Sequence, residues 1–181
     1  MASAFTHAFV GLALGKVCVS TPVPRRFWIL AALCPALPDI DFIGFYLGIA
    51  YGSPLGHRGF THSLLFAWLA GFAVATLAFS KERFTARWFW TWVFFCMITA
   101  THGALDAMTN GGMGVGFYIP FSQERYFFPW TPIEVSPLSP RAFFSAWGVR
   151  VMASELLWVW LPLCVVIAGV HVYRNRVAPR T

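Results

Sequence analysis

The sequence predicts an all-α fold, a polytopic membrane helix bundle of about five segments with a long outer loop. Three observations carry this. Of the 181 residues, 58% are hydrophobic and 11% charged, where ordinary soluble domains carry roughly 25% charged residues. Apolar runs close to the ~20 residues needed to cross a bilayer recur along the chain. The basic residues, which give a formal net charge of +6, sit between those runs. Disorder, a collagen-like repeat and a typical cytosolic enzyme do not fit this composition, whose mean hydropathy is +0.64. A single integral membrane domain, 1–181, is expected, with 109–155 as an extracytoplasmic loop or lid within it.

The first apolar run is Ala4 to Val19, slightly short for a span. The N-terminus lacks the basic start of a signal peptide, so this run is expected to be retained. The second, Phe27 to Ile49, is interrupted by Pro35 and Pro38, where the chain is expected to leave a regular helix. The third, Ser63 to Phe79, holds no charge, and the fourth runs from Trp88 to Met108. The fifth, Leu156 to Tyr173, contains Pro162. Loops longer than about 12–15 residues are often functional, and the Gly- and Pro-rich stretch from Thr109 to Glu155 qualifies. The cysteines, Cys18, Cys34, Cys96 and Cys164, lie in or beside apolar runs without a CxxC, which reads as burial and not a disulfide framework.

Orientation follows from charge. Lys16, Arg25 and Arg26, then Lys81, Arg83 and Arg87, then Arg174, Arg176 and Arg180 fall on one side of five spans. An excess of Lys and Arg marks the cytoplasmic side, so the N-terminus is expected outside. Trp28, Trp88, Trp90 and Tyr173 then lie near the inner interface, and Tyr46, Tyr51, Trp147 and Trp158 near the outer one.

Ionisable groups inside such segments are costly and usually face a cavity or a partner. Here they are His7, Asp39, Asp41, His57, His62, His102 and Asp106. Asp39 and Asp41 stand about 18–21 Å, and His102 and Asp106 about 21–27 Å, from the inner ends of their segments. All seven therefore fall in the outer half of the core or just beyond it. His102 and Asp106, at i and i+4, share a helix face and can share a metal. After the prolines, Asp39 and Asp41 are expected to point to alternate sides, one as ligand and the other as orienting partner or base. Imidazole with carboxylate suits a divalent ion, zinc first, with manganese or iron as alternatives. His171, beside Tyr173 and Arg174, reads as interfacial.

The motifs Thr6-His7, Pro38-Asp39-Ile40-Asp41, His57-Arg58-Gly59-Phe60-Thr61-His62-Ser63 and His102-Gly-Ala-Leu-Asp106 resemble those of the YdjM-type family of bacterial membrane-bound, metal-dependent hydrolases, also described as LexA-regulated and formerly a domain of unknown function. The resemblance covers roughly Thr6 to Pro132 and implies a hydrolase of the inner membrane. The ordered His and Asp residues are also loosely similar to those of zinc-dependent phospholipase C. No histidine lies between Asp106 and His171, which favours one or two ions over three.

The expected metal ligands are His7, Asp39, His57, His62, His102 and Asp106. Asp41 is the expected base or orienting group, Arg58 a catalytic and anion-binding residue, and Arg125 a second substrate contact. A metal site at the outer interface, walled by aromatics, suits a membrane lipid whose ester or phosphoester lies near its headgroup. Nucleic acid is not an expected partner, because the basic residues are loop-bound. Two other functions fit parts of the pattern. A transporter or channel would use the intramembrane His and Asp, yet the inner half is nearly free of ionisable groups. A non-catalytic protein would use the metal only to hold its helices together.

Overall fold

The structure, a computed structural model, describes residues 1–177; Arg180, of the third basic group, lies outside the described residues. Its main helices are α1 (Ala4–Cys18), α2 (Arg25–Leu33), α3 (Ile43–Tyr46), α4 (Leu64–Ala78), α5 (Ala86–Ala107), α6 (Pro140–Phe143), α7 (Ala146–Glu155) and α8 (Leu161–Val177). Among the described residues there is no strand, only isolated bridges between Thr109 and Ile133 and between Val115 and Tyr126.

Hydroxyl side chains set the helix starts. Ser3, Ser63, Thr85 and Ser145 each accept from a backbone N–H of the following turn, satisfying a donor that the helix itself leaves without a partner. Ser145 starts the last helix well before Leu156, where the apolar run alone places its beginning. From there α7, a π-helical turn at Leu156–Trp160 and α8 run on as one 32-residue helix.

Helices stand at all five apolar runs. By length and hydropathy together, two among the described residues are fit to cross a membrane: Arg25–Tyr46 and Ala146–Val177. Only 33% and 17% of their most apolar windows are buried in the protein, so most of that surface faces outward. Helices α1 and α4 have 15 residues each, a rise of about 22 Å. Helix α5 is long enough, but Thr99, Thr101, His102 and Asp106 dilute its hydropathy.

The second run departs from a regular α-helix at its prolines, as expected. Cys34–Phe42 forms a 3-10 helix carrying Pro35 at its start and Pro38 inside. Asp39 and Asp41 diverge there as expected, because a 3-10 helix has three residues per turn.

Helices α4 and α5, joined by a short connection, pack as a hairpin. Gly71 permits the close approach, since a Cβ there would lie 2.5 Å from the backbone N of Cys96. Helix α1 packs against α2, the 3-10 segment, α5 and α8. One core cluster, at the basic end, joins Phe27, Ala31, Cys34, Phe79, Phe95 and Ile98. There Arg26 lies over the Phe79 ring, Arg87 pairs with Glu82 at 3.3 Å, and Arg174 donates to the carbonyls of Lys16, Val17 and Val19. A second cluster, Ala2, Val10, Ile133 and Val159, ties α1 to the long loop and the last helix.

That loop is stitched to the bundle. Leu64 N–H donates to Phe117, Gly116 N–H to Arg58, Phe128 N–H to Ala107 and Ile133 N–H to Met108. Val115, Ile119 and Ile133 are buried beneath it.

Candidate metal centre

Four side chains converge at the end of the bundle opposite the basic cluster. Helix α5 supplies His102 and Asp106, the 3-10 helix supplies Asp39, and the short 3-10 turn Phe60–His62 supplies His62. One donor atom from each lies within 4.8 Å of the others. His62 Nε2 is 3.6 Å from both Asp39 Oδ1 and Asp106 Oδ2. His102 Nε2 is 3.4 Å from Asp39 Oδ1, 3.9 Å from Asp106 Oδ2 and 2.9 Å from His62 Nε2. A tetrahedral ion with ligands at about 2.0–2.1 Å needs donor–donor edges of about 3.3–3.4 Å, close to these spacings.

The remaining donors are committed in the way a metal site requires. His102 Nδ1–H donates to the Pro35 carbonyl at 2.6 Å, so its Nε2 is the free nitrogen. His62 Nδ1 lies 3.1 Å from Asp41 Oδ2, which turns its Nε2 toward the same point. Such outer partners fix the tautomer and ring orientation of a ligand histidine. By contrast Asp39 Oδ1 and Oδ2 and Asp106 Oδ2 are buried without a hydrogen-bond partner. Carboxylate oxygens left so are expensive, and a cation among them removes the cost. The residues present fit a divalent metal, and this buried His/Asp group can bind one.

Asp41 is saturated instead. Its Oδ1 is 2.6 Å from His57 Nδ1, and its Oδ2 accepts from Arg58 N and Thr61 Oγ1. The two aspartates, separated by the 3-10 turn, thus serve the opposite nitrogens of His62. His57 falls outside the four-donor group and joins Asp41 and His62 in a smaller neighbouring cluster. His7 also stands aside: its ring stacks on His102 with centroids 3.8 Å apart, and its Nε2 is 3.5 Å from Asp106 Oδ1.

Both arginines turn inward. Arg58 is 1% exposed. Its Nε is 3.2 Å from Asp106 Oδ2, while Nη1 donates to Gly111 O and Nη2 to Thr109 Oγ1. Its φ is +60°, an uncommon conformation for a non-glycine residue. Gly112, at φ +94°, passes so close that a Cβ would lie 2.7 Å from Arg58 Nη1. Arg125 donates to the carbonyls of Tyr51, Ser53 and His57 and so braces the loop that carries His57. Both guanidinium groups thus use much of their donor capacity inside the protein, Arg58 while also lining the adjoining cavity.

A cavity of about 440 Å³ adjoins this layer, lined by Tyr51, His57, Arg58, Val135, Leu138 and Trp147 among others. Burial raises the Tyr51 phenol above its ordinary value, against the opposing pull of Arg58, so it remains a neutral donor there at physiological pH. Sequence reasoning missed several contributors: the Pro35 carbonyl, the Ala2 N–H that donates to Asp106 Oδ1 at 2.7 Å, and Tyr51. Backbone groups leave no trace in residue identity. Tyr51 was legible only as an interfacial aromatic.

No solved structure matches this chain. The chain is 39% identical over 162 residues to the inner membrane protein YbcI of Escherichia coli (strain K12), covering 90% of this chain and 92% of that protein. The family described as YdjM inner membrane protein matches residues 1–177. On that match, and with two helices of membrane length, the chain belongs to the YdjM family of inner membrane proteins.

Proposed function

We propose that this protein is a membrane-bound, metal-dependent hydrolase that cleaves an ester, foremost a phosphoester, of a membrane lipid at the outer face. The observation that carries the reading is the convergence of two oriented imidazoles on buried carboxylate oxygens, of which both of Asp39 lack a hydrogen-bond partner and Asp106 Oδ2 meets only the Arg58 guanidinium, at 3.2 Å. His62, His102, Asp39 and Asp106 would hold the ion, zinc by the chemistry of the donors. When bound, such an ion lowers the pKa of water and stabilises charge on an acyl or phosphoryl oxygen.

The chain's own residues divide the remaining work. Asp41 fixes His62 and also holds His57 by its Nδ1, at 2.6 Å. His57 lines the cavity, which makes its second nitrogen the group to take or return a proton there in this reading. Arg58 holds Asp106 in place, and Tyr51 offers a hydroxyl to the headgroup. Apolar Val135, Leu138 and Trp147 suit a lipid chain. Charge supports five spans with the site outside the cytoplasm: Lys16, Arg25, Arg26, Lys81, Arg83, Arg87, Arg174 and Arg176 belong to the connections and helix ends away from the site.

A second reading has a specific observation behind it. His62, His102 and Asp106 are fully enclosed, and Asp39 keeps only 12% side-chain exposure. A closed shell is the mark of a structural site, so a non-catalytic, metal-stabilised membrane protein is the rival. The test is elemental analysis of the detergent-purified protein together with hydrolysis assays on phospholipid and on generic phosphoesters. Stoichiometric zinc with turnover supports the hydrolase, zinc without turnover supports the rival, and no bound metal overturns both.

A further inference from the structure

Glu155 is fully buried, and nothing in the cation chemistry above uses it. It closes α7, and its carboxylate is filled from α1: Oε1 accepts from Ser3 N at 2.5 Å, and Oε2 accepts from Ser3 Oγ at 2.5 Å and Thr6 Oγ1 at 2.7 Å. Thr6 Oγ1 in turn accepts from Trp160 Nε1 at 2.7 Å. The π turn between Glu155 and Trp160 makes this double grip possible. In an α-helix two residues five apart point about 140° away from each other. In a π turn, closed by i to i+5 bonds, they share one face much as residues four apart do in an α-helix. Both side chains therefore reach the same first turn of α1.

That first turn touches the candidate cation site twice. Ala2 N–H donates to Asp106 Oδ1, and His7 stacks on His102. The Ala2 bond occupies one carboxylate oxygen and leaves Oδ2, which no hydrogen bond claims and which Arg58 Nε approaches at 3.2 Å, turned toward His62 and His102. From these contacts we infer that Glu155 is a positioning residue: by gripping Ser3 and Thr6 it holds Ala2 and His7 in register and so sets which oxygen of Asp106 faces the ion. The inference rests on the metal reading of the site.

The experiment is Zn²⁺ titration by chelator competition, with Co²⁺ absorption as a geometric readout, on the full chain in detergent. Glu155→Ala is expected to weaken Zn²⁺ binding at least tenfold and to change the Co²⁺ bands. Glu155→Gln, whose carbonyl can still accept from Ser3 N–H, is expected to restore most of the affinity. Glu82→Ala, at the far end, leaves both readouts unchanged. If Glu155→Ala does not fold, Ser3→Ala and Thr6→Val each remove one bond to the carboxylate and are expected to weaken binding several-fold. A folded Glu155→Ala protein, or in its place both milder variants, with wild-type affinity and Co²⁺ bands overturns the inference while leaving the site's reading intact. Wild-type protein that binds no Zn²⁺ overturns the reading itself, and the inference with it.

Discussion

The two ends of the bundle are built from different materials. At the basic end, Phe27, Phe79, Phe95 and Ile98 pack a core with almost no buried polar atoms, and the charges stay at the rim. A cavity of about 500 Å³ there is lined largely by Phe27, Trp90, Phe94 and Met97. At the other end, eight ionisable side chains from four stretches of chain, His7, Asp39, Asp41, His57, Arg58, His62, His102 and Asp106, are buried together, with the backbone arranged to serve them. Apolar packing is non-directional and tolerant, whereas buried polar groups demand a partner for each atom. The first end is therefore built for stability, and the second gathers the donors that can hold an ion.

The sharpest way to break this contrast is to remove a donor. His102→Ala or Asp106→Ala is expected to abolish stoichiometric metal, read by elemental analysis, and with it any turnover. Metal retained by the double variant would dissolve the distinction between the ends. Next in size, Phe95→Ala at the basic end is expected to cost about 3–5 kcal/mol, much of it from the cavity left behind, without changing metal content. Chemical unfolding in detergent, with metal analysis of the same sample, reads both.

Asp41→Asn is expected to lower Zn²⁺ affinity by about 10–100-fold, since it weakens the groups that orient His62 and His57. Competition titration checks it, and unchanged affinity would mean that Asp41 serves only the loop. Gly112→Ala is expected to destabilise the protein by about 1–3 kcal/mol, because φ +94° suits glycine and the new methyl presses on Arg58. Thermal unfolding reads it. Smallest of all, Glu82→Ala should stay within about 0.5 kcal/mol, as exposed ion pairs do.

The same contrast governs what the sequence discloses. The i, i+4 spacing of His102 and Asp106 survives into three dimensions because α5 is regular there. The His57-Arg58-Gly59-Phe60-Thr61-His62 stretch is legible as a site, but its division of labour is not. His62 meets the other donors while His57 turns to Asp41. Which nitrogen points where depends on Pro35 and Asp41, brought in from a different helix. Arg58 and Arg125 read as anion contacts from charge alone, since nothing local announces the carbonyls and carboxylate that claim them. The apolar helices follow directly from composition, whereas the span each achieves depends on caps and prolines that shift their ends.

The order of synthesis gives the tie between Ser3 and Glu155 one more meaning. The partners are 152 positions apart, so ribosomes adding about 5–20 residues per second need roughly 8–30 seconds to make the second after the first. All four donors emerge long before the carboxylate that steadies their neighbour. A nascent chain halted at Phe144 should therefore capture zinc weakly and release it fast, a contrast that dissociation kinetics on the truncated and full-length chains can measure. On that inference, the last helix to be synthesised is the one that completes the support of Asp106.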